Sequence, residues 1–88
     1  MRGLLRVTDN YVYVLAIATG RKWRTYVGWT TDLERRVAQH NNGTGAKSTR
    51  GNVWVCIYAE RYDTRSAAMR REAQLKRDRS FRQQFKPG

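Results

Sequence analysis

The chain has 88 residues, with 18 Lys+Arg against 7 Asp+Glu and a formal net charge of +11. That length predicts one small domain spanning residues 1–88, its core at about 10–78, too short for a second core and burying only about 60–65% of its unfolded surface. The positive excess repels itself in the compact state and favours a polyanionic partner, nucleic acid rather than a membrane, because no basic segment carries a strong apolar face.

Cys56 is the one cysteine, which excludes an internal disulfide; with no CxxC or Cys/His cluster, no zinc site is expected, and Cys56 reads as a small buried hydrophobe. Leu4-Leu5 is too short an apolar run for a signal peptide. Nor does any stretch approach the ~18 apolar residues of a membrane helix, so a cytoplasmic setting is expected.

Residues 11–18 are all apolar or aromatic, the pattern of a strand covered on both faces. Thr19-Gly20-Arg21-Lys22 is a turn signal, and Trp23 to Trp29 form a second strand; the close spacing predicts an antiparallel hairpin. Gly28 near its end fits a place where another group must approach the backbone closely. Thr31-Asp32-Leu33-Glu34 has the form of a capping box with Thr31 as N-cap, opening a helix that runs to about Asn41 and stops at Asn42-Gly43. A loop from Gly43 to Gly51 follows, then a third strand from Val53 to Ala59 with Glu60 just past its end. Asp63 or Thr64 caps a second helix from about Arg65 to Asp78, and residues Ser80 to Phe85 form a short last helix. The order ββαβα predicts an α+β fold, a small three-stranded antiparallel sheet flanked by helices.

The chemistry-bearing residues fall on these elements. In the first helix Leu33, Arg36, Val37 and His40 share one stripe; Leu33 and Val37 should anchor it to the sheet. Arg36 and His40 then lie along the border of the buried face, while Glu34, Arg35 and Gln39 point elsewhere. The ordinary roles are a snorkelling guanidinium and an imidazole at the helix C-terminus. On the second helix Ala68, Met69, Ala73 and Leu75 read as the apolar face, with Glu72 in its middle. A buried carboxylate needs a cation or a hydrogen-bond network. Two readings stand: a salt bridge to Lys76 at i+4 or to a sheet residue, or a ligand for a hard divalent cation. Tyr13 and Tyr26 on the paired strands are either core aromatics or phenols whose pKa, lowered by cations, lets them take a proton from water. Phenol, guanidinium, imidazole and carboxylate in a basic chain point to a nuclease.

In this order and spacing the residues resemble the GIY-YIG nuclease domain. Tyr11-Val12-Tyr13 corresponds to the first motif, with Tyr11 in place of the family's glycine, and Tyr26-Val27-Gly28 to the second. Arg36 stands on the helix that carries the family's arginine, His40-Asn41 where the family has His or Tyr, and Glu72 where it has its metal-binding glutamate. The loop Gly43-Thr44-Gly45-Ala46-Lys47-Ser48-Thr49-Arg50 is similar to that of compact, stand-alone bacterial members. Some members carry an asparagine after the glutamate helix; none follows Asn52 here.

The resemblance implies hydrolysis of DNA phosphodiesters with one Mg²⁺ or Mn²⁺ held by Glu72, in structure-specific cutting for repair or recombination. Arg36 would bind a non-bridging phosphate oxygen. Tyr13 would be the general base with Tyr26 close behind, and His40 would help deprotonate the phenol or orient the water. Lys47, Arg50, Arg70 and Arg77 would touch backbone phosphates, and the loop from Gly43 to Gly51 would move as substrate binds. The alternatives are a nucleic-acid-binding module without activity, a nuclease subunit that needs a protein partner for specificity, and RNA in place of DNA.

Overall fold

A computed structural model describes residues 9–19, 21–49 and 51–87. Leu4-Leu5, the turn residue Gly20, the expected phosphate contact Arg50 and the terminal Gly88 lie outside the described residues.

Strands β1 (Asn10–Thr19) and β2 (Lys22–Thr30) form the expected hairpin, and β3 (Val55–Tyr62) pairs antiparallel on the other side of β1, giving the order β2-β1-β3. The central place of β1 explains its unbroken apolar run. Val12 and Val14 are buried on one face; Tyr13 and Leu15 are buried on the other, each contributing about 1.5–3 kcal/mol if fully removed from water. Helix α2 (Arg65–Arg77) packs through Ala68 and Leu75 on the valine face, where Val27 joins them. Helix α1 (Leu33–Asn41) packs through Leu33 and Val37 on the tyrosine face, beside Trp54. Helix α3 (Arg79–Gln83) closes the valine side: Phe81 and Phe85 lie 5.1 and 5.6 Å from Tyr58, and Arg82 donates to the carbonyls of Leu75 and Lys76 at the end of α2. No helix among the described residues is long and apolar enough to cross a membrane.

Four local expectations change. The N-cap of α1 is Asp32 rather than Thr31: its Oδ1 accepts from the Arg35 amide at 3.2 Å, and Thr30 Oγ1 accepts from the Asp32 amide at 3.1 Å. A carboxylate at that end also meets the positive pole of the helix. The third strand starts and ends later than its apolar run. Asn41 takes both backbone groups of Trp54, accepting from its N–H at 2.6 Å and donating to its C=O at 3.0 Å, so Trp54 is buried without joining the ladder. A bulge beside Val14 and Leu15 then leaves Ile57 unmatched, and pairing continues to Tyr62 opposite Asn10.

Glu60 therefore lies within β3. It can do so because Arg71 grips its carboxylate with two N–H groups at 3.0 and 3.1 Å while the hydroxyls of Tyr58 and Tyr62 donate to it. This cluster also changes α2. Its inner stripe is Ala68, Arg71, Glu72 and Leu75, whereas Met69 is 43% exposed and Ala73 is exposed. Arg71 occupies an inner position because its charge is met there. The short last helix covers residues 79–83, one turn capped by Asp78, whose Oδ1 accepts from the Phe81 amide at 2.9 Å.

Burial pushes the Glu60 carboxyl up, but the Arg71 fork and the two phenols outweigh it, and the net shift is below the ordinary 4.5. The unfolded chain then binds the extra proton first as pH falls. The stability from this cluster is complete above 4.5 and is lost as pH drops through the lower folded value. Glu60→Gln is expected to cost roughly 2–4 kcal/mol at pH 7, measured by urea unfolding. The gap to wild type should narrow below the carboxylate range; a gap that widens as pH falls contradicts this role.

Candidate active site

Antiparallel pairing sets Tyr13 opposite Gly28, and Tyr26, opposite Leu15, on the same face. The missing side chain of Gly28 is what lets the phenol lie flat there: a Cβ on Gly28 would stand 2.5 Å from the Tyr13 hydroxyl and 3.1 Å from the Tyr26 ring. Both rings turn toward the end of α1, where His40 meets them at centroid separations of 5.8 Å to Tyr13 and 4.7 Å to Tyr26. The Tyr13 hydroxyl and His40 Nε2 are 2.8 Å apart.

His40 does not sit at the border of the buried face; it is fully buried. Residues 45–49 fold over it, with Gly45 so close that a Cβ there would fall 2.7 Å from Nδ1 and 2.8 Å from the His40 Cα. A single 3₁₀ turn, Lys47–Thr49, brings the Thr49 hydroxyl to 2.8 Å from His40 Nδ1. Both ring nitrogens thus have partners, and among the described residues no buried side-chain polar atom is left without one.

Arg36, one turn before His40, is half-buried, and its Nη1 donates to Gln39 Oε1 at 3.1 Å. Arg35, Arg36 and Gln39 line an open groove of about 400 Å³ with Trp29 and Asp32, so Arg35 and Gln39 share the surface of Arg36 instead of pointing elsewhere. Glu72 comes from the other side of the sheet. Its side chain is 19% exposed and pairs with Lys76 Nζ at 3.3 Å, yet its charge still reaches the Tyr13 phenol.

Burial, reinforced by the charges of Tyr26 and Glu72, pushes the Tyr13 hydroxyl up to about 12, although Arg36 pulls the other way. The expected acidified phenol is therefore not the resting state of the chain alone: desolvation of a buried anion outweighs one guanidinium. Burial also lowers His40 below its ordinary 6.5, and Arg36 adds to that. At neutral pH the pair is a protonated phenol beside a neutral imidazole.

Tyr13, Tyr26 and His40 are thus in mutual contact, with Arg36 and Glu72 close enough for their charges to act on Tyr13. Lys47 is exposed on the 3₁₀ turn. Arg70 and Arg77 are exposed on α2, but at 100° per residue they lie about 200° and 140° around the helix from Glu72. The structure does not gather them at the phenols. Thr49 and Gln39 are site-lining residues that carried no sequence signal of their own, a threonine in a polar loop and a glutamine on a mixed helix.

The model of the GIY-YIG catalytic domain matches residues 9–85. The chain belongs to the GIY-YIG family. This is a nuclease family, and nucleic acid is the substrate class it implies. The chain is 51% identical over 69 residues to a UPF0213 protein of Natronomonas pharaonis, covering 77% of this chain and 78% of that protein. With a UPF0213 protein of Halobacterium salinarum it shares 47% identity over 68 residues, 76% of this chain and 84% of the relative. The solution NMR structure of a UPF0213 protein from Bacillus halodurans superposes with a TM-score of 0.51 at 33% identity, covering 86% of this chain and 80% of that one.

The contact of Gly28 with Tyr13 generates a direct test. Gly28→Ala should cost about 1–3 kcal/mol through overpacking and shift the His40 ring resonances as the phenol is displaced. Unchanged His40 resonances in a folded Gly28→Ala chain contradict the packing described.

Proposed function

We propose that this chain is a divalent-metal-dependent endonuclease that hydrolyses DNA phosphodiester bonds. The observation that carries the reading is the buried Tyr13–His40 pair at 2.8 Å, whose phenol feels the charges of Arg36 and Glu72, with Arg36 also lining the open groove.

Arg36 binds a non-bridging oxygen of the scissile phosphate through its planar fork, with Gln39 holding the guanidinium in aim. Tyr13 acts as general base. As water attacks phosphorus, its proton passes to the Tyr13 oxygen while the phenolic proton moves to His40 Nε2. No free phenolate is needed, so a phenol that stays protonated up to about 12 still serves. The cost falls on the imidazolium, which burial and Arg36 disfavour; the phosphate charge seated on Arg36 offsets the second of these. Tyr26 packs against both rings and fixes their orientation.

Glu72 fits a single Mg²⁺ or Mn²⁺. Its carboxylate is partly exposed, offers hard oxygen donors, and pairs among the described residues with the flexible ammonium of Lys76. Mg²⁺ keeps most of its waters, so one carboxylate suffices. Bound there, the ion would stabilise the leaving 3′ oxygen and the charge developing on phosphorus. Lys47, Arg70 and Arg77 would hold backbone phosphates, which position the substrate without reading its sequence.

The test is cleavage of labelled duplex, single-stranded and branched DNA with Mg²⁺, Mn²⁺ or EDTA. Cutting should require the metal, and Arg36→Ala should lose about 10²–10³ in turnover on saturating substrate. Glu72→Ala should abolish cutting, whereas Lys76→Ala, freeing the carboxylate, should lower the metal concentration needed for half-maximal rate. Wild-type chain that binds but cuts nothing under either metal overturns the reading in favour of an inert binder or a subunit needing a partner. Glu72→Ala that cuts at the wild-type rate removes Glu72 from the metal.

A further inference from the structure

The hydroxyl of Thr49 faces two groups at once: His40 Nδ1 at 2.8 Å and the carbonyl of Ala46 at 2.8 Å. A threonine hydroxyl has one proton to give. The Ala46 carbonyl can only accept, and an undonated contact at that distance would set two lone pairs against each other. The Thr49 proton therefore goes to Ala46, leaving its oxygen as acceptor toward His40. Nδ1 must then carry the imidazole proton, Nε2 is bare, and the Tyr13 hydroxyl donates to it.

We propose that Thr49 is a positioning residue that holds His40 in the Nδ1–H tautomer, keeping Nε2 free to receive the Tyr13 proton. The receiving role of Nε2 rests on the nuclease reading above; the tautomer itself rests on the hydrogen-bond chain alone. The mount is stiff. Thr49 also takes a second bond to the same carbonyl through its own N–H at 3.0 Å, and the buried Trp54 indole donates to the Thr49 carbonyl at 3.0 Å. Trp54 is in turn fixed by Asn41, the residue after His40 on α1. The loop is thereby tied back to the helix that carries the imidazole. A neutral histidine that kept its proton on Nε2 would present a donor to the phenol and could not act as its base. Lys47 stands two residues before Thr49 on the same 3₁₀ turn, so the segment that would reach for phosphate also sets the proton of the imidazole.

His40 is the one histidine of the chain, so its ring signals in ¹⁵N–¹H two-bond spectra need no assignment by mutation. The spectra are recorded on ¹⁵N-labelled wild type, Thr49→Ser and Thr49→Val, above the range where the imidazole protonates. Wild type and Thr49→Ser should show Nδ1–H with a bare Nε2. Thr49→Val, which keeps the branched shape and loses the acceptor, should shift toward Nε2–H. In the cleavage assay Thr49→Val should lose about 10–100-fold in kcat with little change in KM, as for other residues that orient a working histidine, and Thr49→Ser should recover most of it. An Nε2–H wild type overturns the proposal, and this result does not depend on Thr49→Val folding. So does a folded Thr49→Val that keeps a pure Nδ1–H spectrum, whatever its rate. A chain that cuts no substrate yet shows Nδ1–H and its loss in Thr49→Val defeats the nuclease reading and leaves the positioning role of Thr49 standing.

Discussion

The structure is organised around one demand: a phenol and an imidazole must be buried together between the sheet and α1. Buried polar groups are costly unless they are hydrogen-bonded, and Tyr13 and His40 answer each other at 2.8 Å with both fully enclosed. Their enclosure dictates residues that otherwise have no explanation. Gly28 is bare because the phenol lies across it, and Gly45 is bare because the imidazole does. Thr49 takes up the second ring nitrogen. The Asn41–Trp54 clasp, which shortens β3 at its start, also fixes the loop over the ring. One pair of rings thus accounts for a strand glycine, a loop glycine, a loop turn and a strand boundary.

The two faces of the sheet divide the labour. The α1 face carries the rings and Arg36; the α2 face carries the valine core and the Glu60–Arg71 clamp that holds α2 against β3. Glu72 projects from the clamped helix, so the position of that carboxylate depends on the salt bridge made by the residue before it, Arg71. At rest the ring pair is neutral, because burial opposes both the phenolate and the imidazolium. In the proposed reaction charge separates across this pair only while phosphate is present, which restricts the base to the bound complex.

Much of this was legible in the chain. The unbroken apolar run of β1 identified a central strand, the hairpin followed from spacing, and Asn42-Gly43 marked the end of α1. The ordered set Tyr13, Tyr26, Arg36, His40 and Glu72 identified the family that the comparison shows. What escaped had a common cause: local pattern does not reveal long-range partners. Glu60 looked like a residue beyond a strand because the Arg71 that neutralises it lies on α2. Met69 scored as core by its type, while Arg71 took an inner position through its charge. Thr31 and Asp32 are both competent caps, and the choice between them depended on the Thr30 hydroxyl supporting Asp32. Thr49 reads as any loop threonine in the sequence, because its partner His40 is reached only through the folded loop. The resting state of Tyr13 was out of reach for the same reason, since its burial is a property of the assembled site.

The central claim is that the proton leaves the attacking water through Tyr13, and single-turnover cleavage by Tyr13→Phe and Tyr26→Phe tests it most directly. Tyr13→Phe should bind DNA with little change and lose about 10²–10⁴ in rate, with Tyr26→Phe losing markedly less. A Tyr13→Phe chain that cuts as fast as wild type would contradict the account.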